Sequence, residues 1–394
     1  MQFAKRSLAW ASLIAICALT SIATRADDGS DPANRYVVTN LTSDTPNIPA
    51  ANMDPVLQNA WGVAFTPGAS PFWIADNATG CSTLYDGAGT TVNAPGTPVK
   101  LPLPGGSVPK TACQTVIPNN QNPPPMNAAP TGMVWNPTTG SAGFLVPGTT
   151  PPITAVFIWA TEDGTISAWA GGLNPADQAV LAVNNSPNAV YKGLAVGTNT
   201  HGVFLYATDF RGAKIDVFAP PNFSAASSAQ IPGSFTDPNI PSGFAPFGIQ
   251  NINGNLFVTY ALQNQEKHDD VAGKGNGFVD VFDTSGNLIG RFASQGTLNS
   301  PWGVSRASFA FGRFSGDILV GNFGDGRITA FGNDGKPHGL LRDAMTNKPL
   351  AIDGLWTITL GGGRNSDSDV LYFTAGPNGE ADGLFGTVTP APNQ

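Results

Sequence analysis

Carboxylates and amides close several short apolar runs of this chain: Asp76 and Asn77, Glu162 and Asp163, Asp209 with Arg211 two residues on, and Asn322 with Asp325. An oxygen-rich set of this kind suits a hard cation such as Ca²⁺ or Mg²⁺ and not zinc, and Asp76, Glu162, Asp209 and Asn322 are the candidate ligands. The same residue types also end strands for a local reason, because an Asp or Asn side chain accepts hydrogen bonds from the backbone N–H groups of its own turn. Trp61, Trp302 and Trp356 lie next to or near glycines in apolar runs, where an indole either offers a ligand platform or packs between elements. Tyr260 precedes Ala261 to Gly277, the densest charged stretch, which holds Glu266, Lys267, His268, Asp269, Asp270 and Lys274. His268 with a neighbouring Asp could form an acid/base pair. The chain has 3 histidines. It contains no G-x-S-x-G, H-E-x-x-H, P-loop or dinucleotide fingerprint, so no local motif announces a reaction.

These residues sit at the ends of short strands. Gly 47 and Pro 34 with only 12% charged residues describe a turn-rich chain with few helices. A phrase then repeats. Each copy opens on a glycine in an apolar run: Trp61-Gly62-Val63, Thr131-Gly132-Met133, Lys192-Gly193-Leu194, Phe247-Gly248-Ile249, Trp302-Gly303-Val304 and, more loosely, Gly354-Leu355-Trp356. A β run follows (PFWIADN, VFIWATED, VFLYATD, LFVTYAL, DILVGN, VLYFTAG), then a short loop and a third run such as KIDVFAP or GRITAFG. Most copies offer a fourth, as in QAVLAV or LIGRFA. Repeats of tens of residues with four short strands and Gly-rich turns predict β-propeller blades.

The fold class expected is therefore all-β, a six-bladed β-propeller in one domain over 27–394, with blades starting near 59, 130, 191, 245, 300 and 352. The last copy lacks a fourth strand and the first is preceded by a spare run, RYVVTNL (Arg35 to Leu41), predicted to complete the last blade and close the ring. In such a ring the loops before the first strand and between the second and third strands open on one face, called the top. That face would gather Trp61, Asp76, Asn77, Glu162, Asp163, Asp209, Arg211, Tyr260, His268, Trp302, Asn322, Asp325 and Trp356. The stretch Ala261 to Gly277 reads as a lid over it or as a solvated loop.

Residues 1–26 have the basic, apolar and small-residue order of a secretory signal peptide: Lys5 and Arg6, an apolar run from Leu8, then Ala23 and Ala26. Its removal would take the basic residues from 19 to 16 against 27 acidic, a net charge of −11. Nucleic acid is a poor partner for such a chain, and no membrane span is expected after the leader. In an exported chain Cys81 and Cys113 read as one disulfide, stabilising by roughly 3–4 kcal/mol in the chain-entropy model. The Pro-rich segment Asn119 to Pro130 reads as extended and surface-lying.

The phrases SPWGV, IADN, TDFRGAKIDVF and GDGRITAF resemble the NHL class of repeat. The opening DPVLQNAWGVAFTPGASPFWIADNATGCSTLYDG (Asp54 to Gly87) resembles a family of exported bacterial proteins found beside PEP-CTERM sorting systems, although the tail GTVTPAPNQ lacks the Pro-Glu-Pro motif and the terminal apolar span. The resemblance implies a propeller and no particular activity. Two functions stay open: a periplasmic or extracellular monomer that binds a small molecule, glycan or protein on its top face, and a Ca²⁺-assisted hydrolase or lyase similar in architecture to lactonase-like propellers.

Overall fold

Short β-branched and aromatic runs separated by glycine turns pair with their sequence neighbours into small antiparallel sheets. The computed structural model describes residues 34–68, 70–115 and 126–392. Their strands form one 5-stranded and five 4-stranded sheets, the six blades of a propeller. The innermost strands are Ala60–Ala64, Pro130–Trp135, Tyr191–Asn199, Phe244–Ile252, Pro301–Arg306 and Leu355–Leu360. Each packs against the next, and Leu355–Leu360 packs against Ala60–Ala64, so the ring is closed. Residues 1–26, read from the sequence as a leader, and most of the Pro-rich segment lie outside the described residues.

The repeated glycine is explained by the axis, where six innermost strands crowd together. A Cβ on Gly62 would stand 2.4 Å from the Thr131 carbonyl oxygen, one on Gly248 2.1 Å from that of Trp302, and one on Gly303 2.6 Å from that of Trp356. No side chain fits such gaps. The sixth blade corrects the phase read from the sequence. Leu355 pairs with Ala375 as Ala60 pairs with Asp76, so the place of the glycine belongs to Thr357 and not to Gly354. The blade accepts a side chain there because the Thr357 hydroxyl donates to the Trp61 carbonyl of the neighbouring innermost strand at 2.7 Å.

The N-terminal strand closes the last blade. Tyr36–Ser43 runs antiparallel to Leu384–Pro390, from Tyr36 opposite Pro390 to Ser43 opposite Leu384. Tyr36 is fully buried, its ring 5.0 Å from that of Phe311, and its hydroxyl donates to the Phe311 carbonyl at 3.0 Å. Cys81 and Cys113 form the disulfide, Cα atoms 5.3 Å apart, which ties the connection between blades one and two to the third strand of blade one.

Candidate ligand site at the channel mouth

The residue before each axial glycine, or before Thr357, stands at the top of its innermost strand: Trp61, Thr131, Lys192, Phe247, Trp302 and Trp356 around the ring. Aromatic residues at these places form one buried cluster with Phe210, and half-buried Phe323 stacks on Trp356 with centroids 3.9 Å apart. The Trp61 and Trp356 indole N–H groups both donate to Asn59 Oδ1 at 2.9 Å. The Asn59 amide nitrogen donates to Glu380 at 2.7 Å and to Asn77 Oδ1 at 3.2 Å.

Lys192 is the charged member of the ring, with 3% of its side chain exposed. An ammonium buried this deeply is tolerated only when paired and hydrogen-bonded. It donates to Glu162, lies 3.7 Å from Asp269 Oδ1, and stands 5.1 Å from the Trp61 ring centroid and 5.9 Å from that of Phe210. Two carboxylates and two aromatic faces thus make a box for an ammonium. Asn77 Nδ2 donates to the other oxygen of Glu162 at 3.0 Å and holds it in place.

The charged insertion supplies the roof of this box. Gln263 donates to the Phe210 carbonyl, and the Gly273 N–H donates to Asn299 Oδ1 at 2.6 Å, so both ends of the insertion are pinned to the top face. Between them His268 Nδ1 meets Asp269 Oδ1 at 2.7 Å. That hydrogen bond raises the His268 pKa and lowers that of Asp269. Burial pushes the carboxyls of Asp163, Asp270 and Glu380 upward. The Trp302 indole N–H is buried without a hydrogen-bond partner among the described residues, a donor left over at the mouth.

Of the residues singled out from the sequence, Trp61, Asn77, Glu162, His268, Trp302 and Trp356 come together here, with Asp163 beside Glu162 holding the Ala129 N–H at 3.0 Å. The others serve their own blades. Asp76 is fully buried and accepts from the Thr83 N–H and hydroxyl at 2.9 and 3.1 Å. Asp209 accepts from the Val190 and Gly212 N–H groups at 3.1 and 3.0 Å. Asn322 accepts from the Asn299 N–H at 3.2 Å and donates to Asp325, which caps the Arg327 N–H at 3.2 Å. Arg211 donates to the Pro187 carbonyl, and Tyr260 is buried between blades three and four. Asp76, Glu162, Asp209 and Asn322 are therefore spread over separate turns. The metal-like trio among the described residues is Glu162, His268 and Asp269, with ligand atoms within 4.8 Å of one another. A Ca²⁺ ion there would be set against the Lys192 ammonium already paired with two of the three, and the donor set does not fit it.

Lys192, Asn59, Phe210 and Glu380 were not among the residues the sequence singled out. The signal for Lys192 was present, one charged residue in a column otherwise filled by Trp, Phe and Thr. Glu380 and Asn59 come from loops with no repeat to align.

The chain belongs to the family of the uncharacterized protein R648 of Acanthamoeba polyphaga mimivirus, with 30% identity over 357 residues that span 90% of this chain and 79% of that protein. The uncharacterized protein L690 of the same virus is 29% identical over 345 residues, 87% of this chain and 83% of its own. No family model matches. These viral relatives lend no support to a link with bacterial sorting systems. Among solved structures, a gluconolactonase from Xanthomonas campestris aligns over 85% of this chain and 86% of its own at 12% identity and a TM-score of 0.47. A streptogramin B lyase aligns over 90% and 98% at 10% identity and 0.46. No site residue is carried over from either.

Proposed function

We propose that the protein is an exported binding propeller that takes a small neutral or cationic ligand at the mouth of its channel, beneath the insertion Ala261 to Gly277. The observation that carries this reading is the surplus of carboxyls around one buried lysine: Glu162, Asp163, Asp269, Asp270 and Glu380 surround Lys192 and His268, and the unpartnered Trp302 N–H offers a further contact. Such a mouth favours ammonium and hydroxyl groups and repels anions. Export is supported by the leader pattern and by the disulfide, which persists in oxidising compartments. Among the described residues no helix is long and apolar enough to cross a membrane.

The test is a thermal-shift and calorimetric screen of the full chain against neutral monosaccharides, amino sugars and small alkylamines, alongside Glu162→Gln. At least one compound should raise the melting temperature of the wild type and fail to do so in the variant. Shifts that persist in Glu162→Gln, or none at all, would remove the site.

A second reading, a hydrolase or lyase of the lactonase-like type, is favoured by one feature. Two proton-carrying pairs, Glu162 with Lys192 and His268 with Asp269, face each other across 3.7 Å between Lys192 Nζ and Asp269 Oδ1. Turnover of a lactone or ester panel that disappears in Glu162→Gln while the variant still unfolds cooperatively would establish it; no turnover by the wild type would leave binding alone.

A further inference from the structure

The axis has a second end. On the top side of the axial glycines stand the packed rings of Trp61, Phe247, Trp302 and Trp356. On the other side stands the residue that follows each glycine, or Thr357: Val63, Met133, Leu194, Ile249, Val304 and Ile358, one from each blade. All six line a chamber of about 40 Å³. Its accessible surface is mostly polar, because at Gly62, Gly132 and Gly303 the backbone has no side chain to cover it. That volume takes a group of roughly two or three heavy atoms.

The chamber adjoins a recess of about 330 Å³ at the far ends of the innermost strands, on the face opposite the top. Val63, Met133, Leu194 and Gln250 line both spaces, and Gln250 is the polar one of the four. The recess wall is largely apolar, with half-buried Phe65, Val134, Trp135 and Val196 turned to a concave space. Its Asn251 is already used, donating to the Val196 carbonyl and accepting from the Gly254 N–H, both at 2.9 Å. No charged side chain lines the chamber or the recess. Arg306, at the level of Trp135 in its own strand, donates instead to the Gly316 carbonyl and to Asn333, both at 3.0 Å.

These features select an occupant. A charged group would lose its hydration here with no counter-charge to replace it, so the space favours neutral molecules. The apolar wall takes a hydrocarbon body, and the narrow backbone-lined chamber with Gln250 takes one hydrogen-bonding end. We propose that recess and chamber together bind a slender neutral aliphatic molecule with a hydroxyl or carbonyl end, that end inward and the hydrocarbon against Phe65, Val134, Trp135 and Val196. The site lies at the opposite end of the axis from the Lys192 box and does not depend on the ligand read there.

Calorimetric titration of the full chain with 1-hexanol tests it, beside the branched isomer 3-methyl-3-pentanol and the anion hexanoate. The straight-chain alcohol should bind saturably at one site, and the other two at least about tenfold more weakly. Gln250 is exposed, so Gln250→Trp sets an indole across the junction of recess and chamber without disturbing the core. It should weaken 1-hexanol by at least about tenfold at an unchanged melting temperature. If that variant does not fold, Thr359→Trp, at the half-buried wall of the recess, carries the same test. No saturable binding of 1-hexanol, equal binding of the branched alcohol or of hexanoate, or full binding by a folded blocking variant would each overturn the proposal.

Discussion

Lys192 shows how a single residue can define a surface. Its side chain is almost fully buried, and its neighbours are Glu162, Asp269, Trp61 and Phe210. Removing one member of a buried ion pair leaves the other uncompensated, so Lys192→Ala should cost about 3–5 kcal/mol. The same change leaves a box shaped for an ammonium, and methylamine or ethylamine should raise the melting temperature of the variant by more than they raise that of the wild type. A variant as stable as the wild type, or deaf to amines, would contradict the box. Asp280 makes a second case. Burial pushes its carboxyl up to about 6 although Arg291 binds it, and burial does the same to Asp44, also to about 6. A raised carboxyl favours the folded state most below its ordinary value of 3.8, and that contribution is lost as pH rises through about 6. Melting temperature should therefore fall between pH 4 and 7, and the fall should be shallower in Asp280→Asn; an unchanged slope would assign the effect elsewhere.

Strands were legible because their logic is local. A glycine in an apolar run, a β run ending in Asp or Asn, and a Gly turn recur at a spacing that only stacked blades explain, and the missing fourth strand at the end pointed to Arg35–Leu41. The site was less legible. Asp76, Asp209 and Asn322 look like ligands in the sequence, yet each ends a second strand at the same register place and its side chain holds nearby backbone N–H groups. Whether a polar side chain is used by its own turn or by a ligand depends on where its oxygens point, and spacing along the chain does not carry that. Lys192 had the opposite fate, since it sat in a column where only the tryptophans were weighed, as ligand platform or as packing. The axial column itself makes a sharp prediction. Gly248→Ala places a Cβ 2.1 Å from the Trp302 carbonyl and should destabilise by at least about 1–3 kcal/mol, whereas Gly290→Ala in the outer strand of the same blade meets nothing within 4 Å and should be near neutral in chemical denaturation. Equal stability of the two would mean that the axis can relax.

At the scale of the molecule the propeller is a ring whose stability depends on its seam. Five blades take all their strands from one stretch of sequence, but blade six joins Leu384–Pro390 to Tyr36–Ser43, which are separated by almost the whole described chain. The seam strand pairs along its length and seats Tyr36 between Phe311 and Phe314, rings 5.0 and 6.1 Å away, so that blade five also depends on it. Without it Leu384–Pro390 would present a bare edge and the aromatic pocket would be open, which combines lost burial with a surface prone to pair with other chains. Tyr36→Ala should therefore cost about 3–5 kcal/mol, the range for emptying a large aromatic site. Removal of Tyr36–Ser43 should do more, lowering the melting temperature sharply and producing concentration-dependent association in sedimentation. The added synthetic peptide YVVTNLTS should restore the melt of the shortened chain, because the seam is a docking of one strand and not a covalent demand. A shortened chain that melts like the full one would show that the ring holds without its closing strand, and the fold would then owe its integrity to the axial packing alone.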